Sequence, residues 1–209
     1  MTKASVITSA HLSASQSYEE YQQMISRLLA EGKTTGSKHS EELRHYTDLN
    51  RQRMQRLDKV AQLTDALQKQ LAVVPAAYTW LVLTEAWCGD AAQSIPLMAK
   101  MADVSSRITL RLLLRDEHPE VMDAYLTNGS RSIPKLICLT EDLQEIGTWG
   151  PRPAEAQQLM NNFKQQHPDE GYQALAKEMQ LWYARNRTQA IQQEFVALLK
   201  DWNQVASLP

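Results

Sequence analysis

The chain has 209 residues, 43% hydrophobic and 22% charged, with 22 basic against 24 acidic side chains and a net charge of -2. That length suits one core domain with additions, and the near-neutral balance offers no basic field for nucleic acid or an acidic membrane surface. No run approaches the ~20 apolar residues of a membrane span, and the stretch from Met1 to His11 lacks the apolar centre of a signal peptide, so the chain reads as cytoplasmic. Two cysteines, Cys88 and Cys138, cannot build a disulfide framework and fit a reducing compartment.

In chain order, residues 1–16 are small and polar and read as a frayed or extended arm. Over 18–30, Tyr21, Met24, Ile25, Leu28 and Leu29 recur at helical spacing. After a polar break at Gly32 and Gly36, one long helix is predicted over 40–71, with an apolar stripe from Leu43 to Leu71, until Pro75 stops it. Residues 80–84 are a short apolar run suited to a buried parallel strand. The chain turns at 87–90. Residues 91–101 then read as a helix kinked at Pro96, and 107–115 as a second strand. A helix opening at 116–119 is predicted to end at Asn128 and Gly129. Residues 133–139 and 143–148 form a hairpin, and Pro153 starts a helix that runs through Lys164. Residues 168–203 add two helical segments broken near 185–187.

From residue 80 the order β-α-β-α-β-β-α specifies an α/β fold, a mixed four-stranded sheet with helices on both faces. The division is a helical extension over 1–75, an α/β domain over 76–166, and a second helical extension over 167–209 that packs on the same core.

Gly32, Lys33 and Thr34 imitate the tail of a phosphate loop, but Arg27 stands where its first glycine is needed and no strand precedes it. No metal cluster is legible: the five histidines are scattered and neither cysteine has a ligand-spaced neighbour. Cys88 follows a buried strand and begins a helix, where amides and the helix dipole favour the thiolate, the form that attacks disulfides. Gly89 leaves room for another chain near the sulfur. Asp90, in the first helical turn, caps the helix and opposes thiolate formation. Ile133 and Pro134 open a strand beside this turn, and Gly147 to Pro151 close the hairpin at the same end of the sheet, where open α/β sheets bind ligands. Trp149 there reads either as an aromatic wall or as core. On the long helix, Asn50, Arg53 and Arg56 face either the same cleft or solvent.

From Trp80 to Lys164 the chain resembles the thioredoxin superfamily. The resemblance rests on Trp87-Cys88-Gly89, on Asp116 and Pro119 after a strand, on Ile133-Pro134 and on Gly150. Over nearly its full length it is similar to a bacterial group of uncharacterised thioredoxin-like proteins, through Thr34-Thr35-Gly36 and the segments 46–50, 87–93, 125–129 and 131–135. The resemblance implies a thioredoxin-like fold, a cis Ile133–Pro134 peptide and redox work at Cys88. The departures are chemical. Ala91 replaces the second cysteine, Asp90 the proline before it, and Val82 the buried acid. Reduction by a dithiol at 88 and 91 is therefore impossible. Cys138 lies ~13 Å beyond Pro134 along its strand, outside the ~7 Å reach of a disulfide, and reads as core.

The expectation is a single-cysteine thiol-redox protein. Cys88 is catalytic, and Trp87, Gly89, Asp90, Ile133, Pro134, Trp149 and Gly150 hold the substrate. That substrate is a protein disulfide or a low-molecular-weight thiol, and glutathione or another thiol serves as co-substrate. No other cofactor, metal, nucleic acid or membrane is implied. The alternative is a non-catalytic binding or scaffold protein whose helical extensions mediate interaction or self-association.

Overall fold

The computed structural model describes residues 3–4 and 6–206. Four strands carry the sheet: β2 (Tyr78–Thr84), β3 (Ile108–Leu114), β4 (Lys135–Leu139) and β5 (Gln144–Trp149). A two-residue strand, β1 (Lys3–Ala4), extends one edge, and the spatial order is β1-β5-β4-β2-β3. β2 and β3 are parallel, β4 runs antiparallel to β2, and β5 runs antiparallel to β4.

Alternation along β2 divides the interior. Trp80 and Val82 face a core that also holds Leu136, Cys138, Phe195 and Trp202. Leu81 and Leu83 face a second core with Val121, Met122, Ile133 and Ile137. Helices α2 (Tyr18–Ala30), α3 (Glu41–Val60), α4 (Asp65–Ala72), α5 (Gly89–Asp103), α8 (Tyr172–Asn186) and α9 (Gln189–Ala206) bury side chains in the first core. Helices α1 (Ser9–Ala14) and α6 (Pro119–Ala124) cover the second, and α7 (Ala154–Gln166) follows β5. The sheet is thus wrapped on one face by helices from both ends of the chain. Pro96 lies inside α5, which continues through it.

Three expectations change. Within the predicted arm, Met1, Thr2 and Ser5 lie outside the described residues, but the rest is ordered by backbone pairing. Lys3 and Ala4 pair with Glu145 and Gln144, and Gln16 exchanges two 2.8 Å hydrogen bonds with Leu112 at the opposite edge. Both sheet edges therefore meet the N-terminal segment, which satisfies donors and acceptors that an open edge would expose.

The long helix is two helices. Thr64 caps α4 by accepting from the Leu67 N–H, and the break is held by Gln192 of α9. Its Oε1 accepts from the Thr64 N–H at 2.7 Å and its Nε2 donates to the Gln62 carbonyl at 3.0 Å. A residue 128 positions away from Thr64 thus completes the interrupted backbone, which no local pattern could reveal.

The helix predicted to end at Asn128 and Gly129 stops at Ala124. Asn128 and Gly129 instead form a two-residue turn with φ of 49° and 74°, closed by reciprocal bonds between Thr127 and Ser130. The asparagine–glycine pair that suits a helix end suits this turn equally well.

Gly150 sits at φ 113°, and a Cβ there would collide with the Pro134 carbonyl oxygen. Gly129 has comparable φ but open space around it. Gly150→Ala is expected to cost about 3 kcal/mol or more, and Gly129→Ala about 1 kcal/mol. Urea denaturation of both variants checks the contrast; equal losses would refute it.

Candidate functional site

The segment before the cysteine is held from below. The Ala86 N–H donates to Thr35 Oγ1 at 2.9 Å, and Asn50 Nδ2, fully buried on α3, donates to the Ala86 carbonyl at 3.0 Å. The 34–36 loop and Asn50 thus position the turn rather than line the cleft. Arg53 lies near it, while Arg56 is exposed.

Cys88 is the N-cap of α5 and is half-buried. Its thiol donates to the Ile133 carbonyl at 3.3 Å, across the Ile133–Pro134 peptide, which is cis. The backbone amides of Asp90 and Ala91 at the helix start favour a thiolate, although the sulfur forms no hydrogen-bonded cap with them. Burial opposes it more strongly and the Asp90 carboxylate adds to that opposition, so the thiol is pushed up to about 12. The helix start therefore does not deliver the activated thiolate that its position suggested. Desolvation in a covered site outweighs two amides. Cys138 is fully buried, in register with Trp80, and burial raises its thiol too.

Asp90 does not cap α5. Its Oδ2 accepts from Arg152 Nη2 at 2.5 Å and Nε at 2.9 Å, and its Oδ1 from the Tyr183 hydroxyl at 2.7 Å. Both partners come from beyond residue 150, and the guanidinium and phenol satisfy the carboxylate better than a lone helix end would.

A hollow of about 200 Å³ lies over the thiol, lined by Trp87, Cys88, Gly89, Asp90 and Ile133 together with Arg115, Arg131, Arg152, Tyr172 and Gln180. Gly89 does not present open space to a second chain: a Cβ there would stand 3.0 Å from Gln180 Nε2 of α8. Gln180 is held in turn by Gln93, whose Nε2 donates to its Oε1 at 2.7 Å. Three expected rim residues are elsewhere. Pro134 is buried beside Gly150, whose missing side chain admits the Pro134 carbonyl. Trp149 is core, packed on Phe195 at 5.4 Å, with its indole N–H donating to Glu194 Oε2 at 2.6 Å. An aromatic on the last strand is claimed by the C-terminal helix because that helix covers the same sheet face.

Glu85 was missed by sequence reasoning. It is fully buried; its Oε1 accepts from the Asp116 N–H at 2.9 Å, and its Oε2 has no hydrogen-bond partner. Burial lifts its carboxyl from an ordinary value near 4.5 to about 7. An acid inside an otherwise apolar strand end was the available signal. Arg115 was also missed; it stacks over Trp87 at 4.8 Å. The fold also gathers histidines that look scattered along the chain. His11 Nε2 and His118 Nδ1 lie 3.3 and 3.4 Å from Glu120 Oε1. Because His11 Nδ1 accepts from the Thr8 N–H at 3.0 Å, its neutral ring carries the proton on Nε2 and donates to Glu120.

A thioredoxin family model matches residues 36–167. No curated protein matches the chain. Among solved structures, a protein of unknown function from Pseudomonas aeruginosa is similar, with 19% identity and a TM-score of 0.54, over 88% of this chain and 98% of that one. An HIV epitope scaffold is similar at 17% identity and a TM-score of 0.53, with the same coverage. At these identities the likeness is one of fold. Among the described residues no helix is long and apolar enough to cross a membrane.

Two variants test the electrostatics. Asp90→Asn removes a carboxylate that opposes the thiolate and leaves Arg152 unpaired, so the Cys88 thiol should titrate below its wild-type value. The variant should also lose about 2 kcal/mol of stability, the cost of leaving a half-buried charge without its hydrogen-bonded partner. Thiolate absorbance against pH and urea denaturation read the two effects; an unchanged titration would refute the first. Glu85 has a folded pKa above its unfolded one, so its protonated form stabilises the fold at low pH. That contribution is present below pH 4.5 and is lost as pH rises through about 7. Glu85→Gln should abolish this part of the pH dependence, seen as a wild-type minus variant stability difference that changes by about 3 kcal/mol between pH 4 and pH 8. A flat difference would overturn the assignment.

Proposed function

The chain belongs to the thioredoxin family, and we propose from that premise that it is a thiol-exchange protein working through Cys88 alone, in a reducing, cytoplasmic setting. The observation that carries the reading is the position of its sulfur. Cys88 stands at the N-cap of α5, donates to the Ile133 carbonyl and opens into a hollow, whereas Cys138 is sealed in the core.

The chemistry is one exchange at a time. The Cys88 thiol loses its proton to solvent, and the thiolate attacks one sulfur of a disulfide. The old S–S bond breaks, a Cys88 mixed disulfide forms, and the second sulfur leaves as a thiolate. Ala91 cannot resolve the adduct, so an external thiol such as glutathione attacks it, takes the bound group and restores Cys88. Trp87, Gly89, Asp90 and Ile133 frame the entering group. Pro134 and Gly150 act behind them by fixing the Ile133 carbonyl.

A second reading, a binding protein that keeps the fold without catalysis, is favoured by the strong suppression of the Cys88 thiolate. Incubation with glutathione disulfide separates the two. Exchange predicts one glutathione adduct per chain in wild type and Cys138→Ser and none in Cys88→Ser, forming faster as pH rises toward 10. Mass spectrometry of the intact protein reads it. Absence of an adduct on native Cys88 at any of these pH values would leave the binding reading in possession.

A further inference from the structure

Four arginines surround the Cys88 turn, and three of them are neutralised. Arg115 pairs with Asp116 at 2.8 Å, Arg131 with Asp123 at 2.6 Å and Arg152 with Asp90 at 2.5 Å. Arg53 is different. Its Nη1 donates to the neutral Asn50 Oδ1 at 2.7 Å, and among the described residues no carboxylate pairs with it. It is half-buried, and desolvation works against its charge. A guanidinium withdrawn from water without a counter-ion is costly unless an anion joins it.

The space in front of Arg53 is a hollow of about 360 Å³ between α3 and α8. Tyr46 and Arg53 line one side, and Gln173, Lys177 and Gln180 the other; no carboxylate lines it. Lys177 likewise has no ion-pair partner among the described residues. This hollow and the one over Cys88 meet at Ala176 and Gln180, which line both. At the junction stands Gly89, where a Cβ would lie 3.9 Å from Arg53 Nη1 and 3.0 Å from Gln180 Nε2. The half-buried Arg53 and the exposed Lys177, neither with a carboxylate partner, thus face a hollow that adjoins the one over the thiol, with Gln180 between the two.

We propose that the α3–α8 hollow is an anion site, and that the substrate at Cys88 is a low-molecular-weight disulfide bearing a carboxylate, held by Arg53 and Lys177 while its sulfur reaches Cys88. The identity of the substrate rests on the thiol-exchange reading; the anion site does not. A polypeptide disulfide fits worse, because α8 of the chain itself lies over Gly89 and leaves about 200 Å³ above the sulfur. The electron count is that of exchange: the thiolate of Cys88 displaces one carboxylate-bearing thiolate and keeps the other as a mixed disulfide, which a second small thiol removes.

The test compares rates of Cys88 modification by an anionic aromatic disulfide, dithiobis(nitrobenzoate), and an uncharged one, dithiodipyridine. Lys177→Gln and Arg53→Gln should slow the anionic reagent about three- to tenfold and leave the uncharged one within about twofold. Arg56→Gln, at an exposed position on α3, should change neither. Because Arg53 also holds Asn50, Lys177→Gln carries the test if Arg53→Gln folds poorly. An unchanged ratio of the two rates in Lys177→Gln overturns the proposal. If wild-type Cys88 resists both reagents, thiol exchange fails and the anion site is read on Cys88→Ser by thermal shift with S-methylglutathione. A rise in melting temperature that Lys177→Gln abolishes upholds the site, and no rise refutes it.

Discussion

The half-buried Asp90–Arg152 ion pair is the interaction on which the site depends. Asp90 lies two residues from the thiol, in the first turn of α5, and draws together the start of α5, the β5–α7 connection through Arg152 and the last turn of α8 through Tyr183. A carboxylate largely withdrawn from water needs donors, and a guanidinium fork plus a phenol supply them. The fastening has an electrostatic consequence. The group that draws α8 over the site also raises the energy of a nearby thiolate, so cover and suppression of the nucleophile have one source.

The C-terminal helices are constituents of the fold. Phe195 and Trp202 of α9 pack with Trp80, the aromatic centre of the sheet's larger core. Polar side chains of the same helix complete the backbone of distant elements. Gln192 bridges the gap before α4, and Glu194 accepts from both the Trp149 indole and the first N–H of α7. Buried backbone groups must find partners, and here α9 provides them. Its face toward the sheet is therefore apolar at some positions and amide- or carboxylate-bearing at others.

Membership of the thioredoxin family accounts for the sheet and for the place of Cys88, but not for the chemistry around it. Ala91 removes the resolving thiol, Val82 is a core residue, and the one fully buried acid near the turn is Glu85, three residues before the cysteine. A fold supplies a site and leaves its use to the residues around it. In this chain the thiol and Arg53, which has no carboxylate partner, line two adjoining hollows that share Ala176 and Gln180 of α8.

The sequence by itself determined the order and type of the strands from Tyr78 to Trp149, the burial of Cys138 and the meeting of Cys88 with the Ile133 segment. Those features follow from short apolar runs, turn residues and motif spacing, which are local properties of the chain. The break between α3 and α4, the burial of Trp149 and the protonated state of Cys88 were decided only in three dimensions. Each depends on a partner far along the chain: Gln192 for the break, Phe195 and Glu194 for the tryptophan, and Asp90 with its covering helix for the thiol. Local pattern records which residues prefer to be buried or turned. It does not record which distant side chain will arrive to satisfy a backbone group, cover a sheet face or withdraw a sulfur from water, and those arrivals set the chemistry of this site.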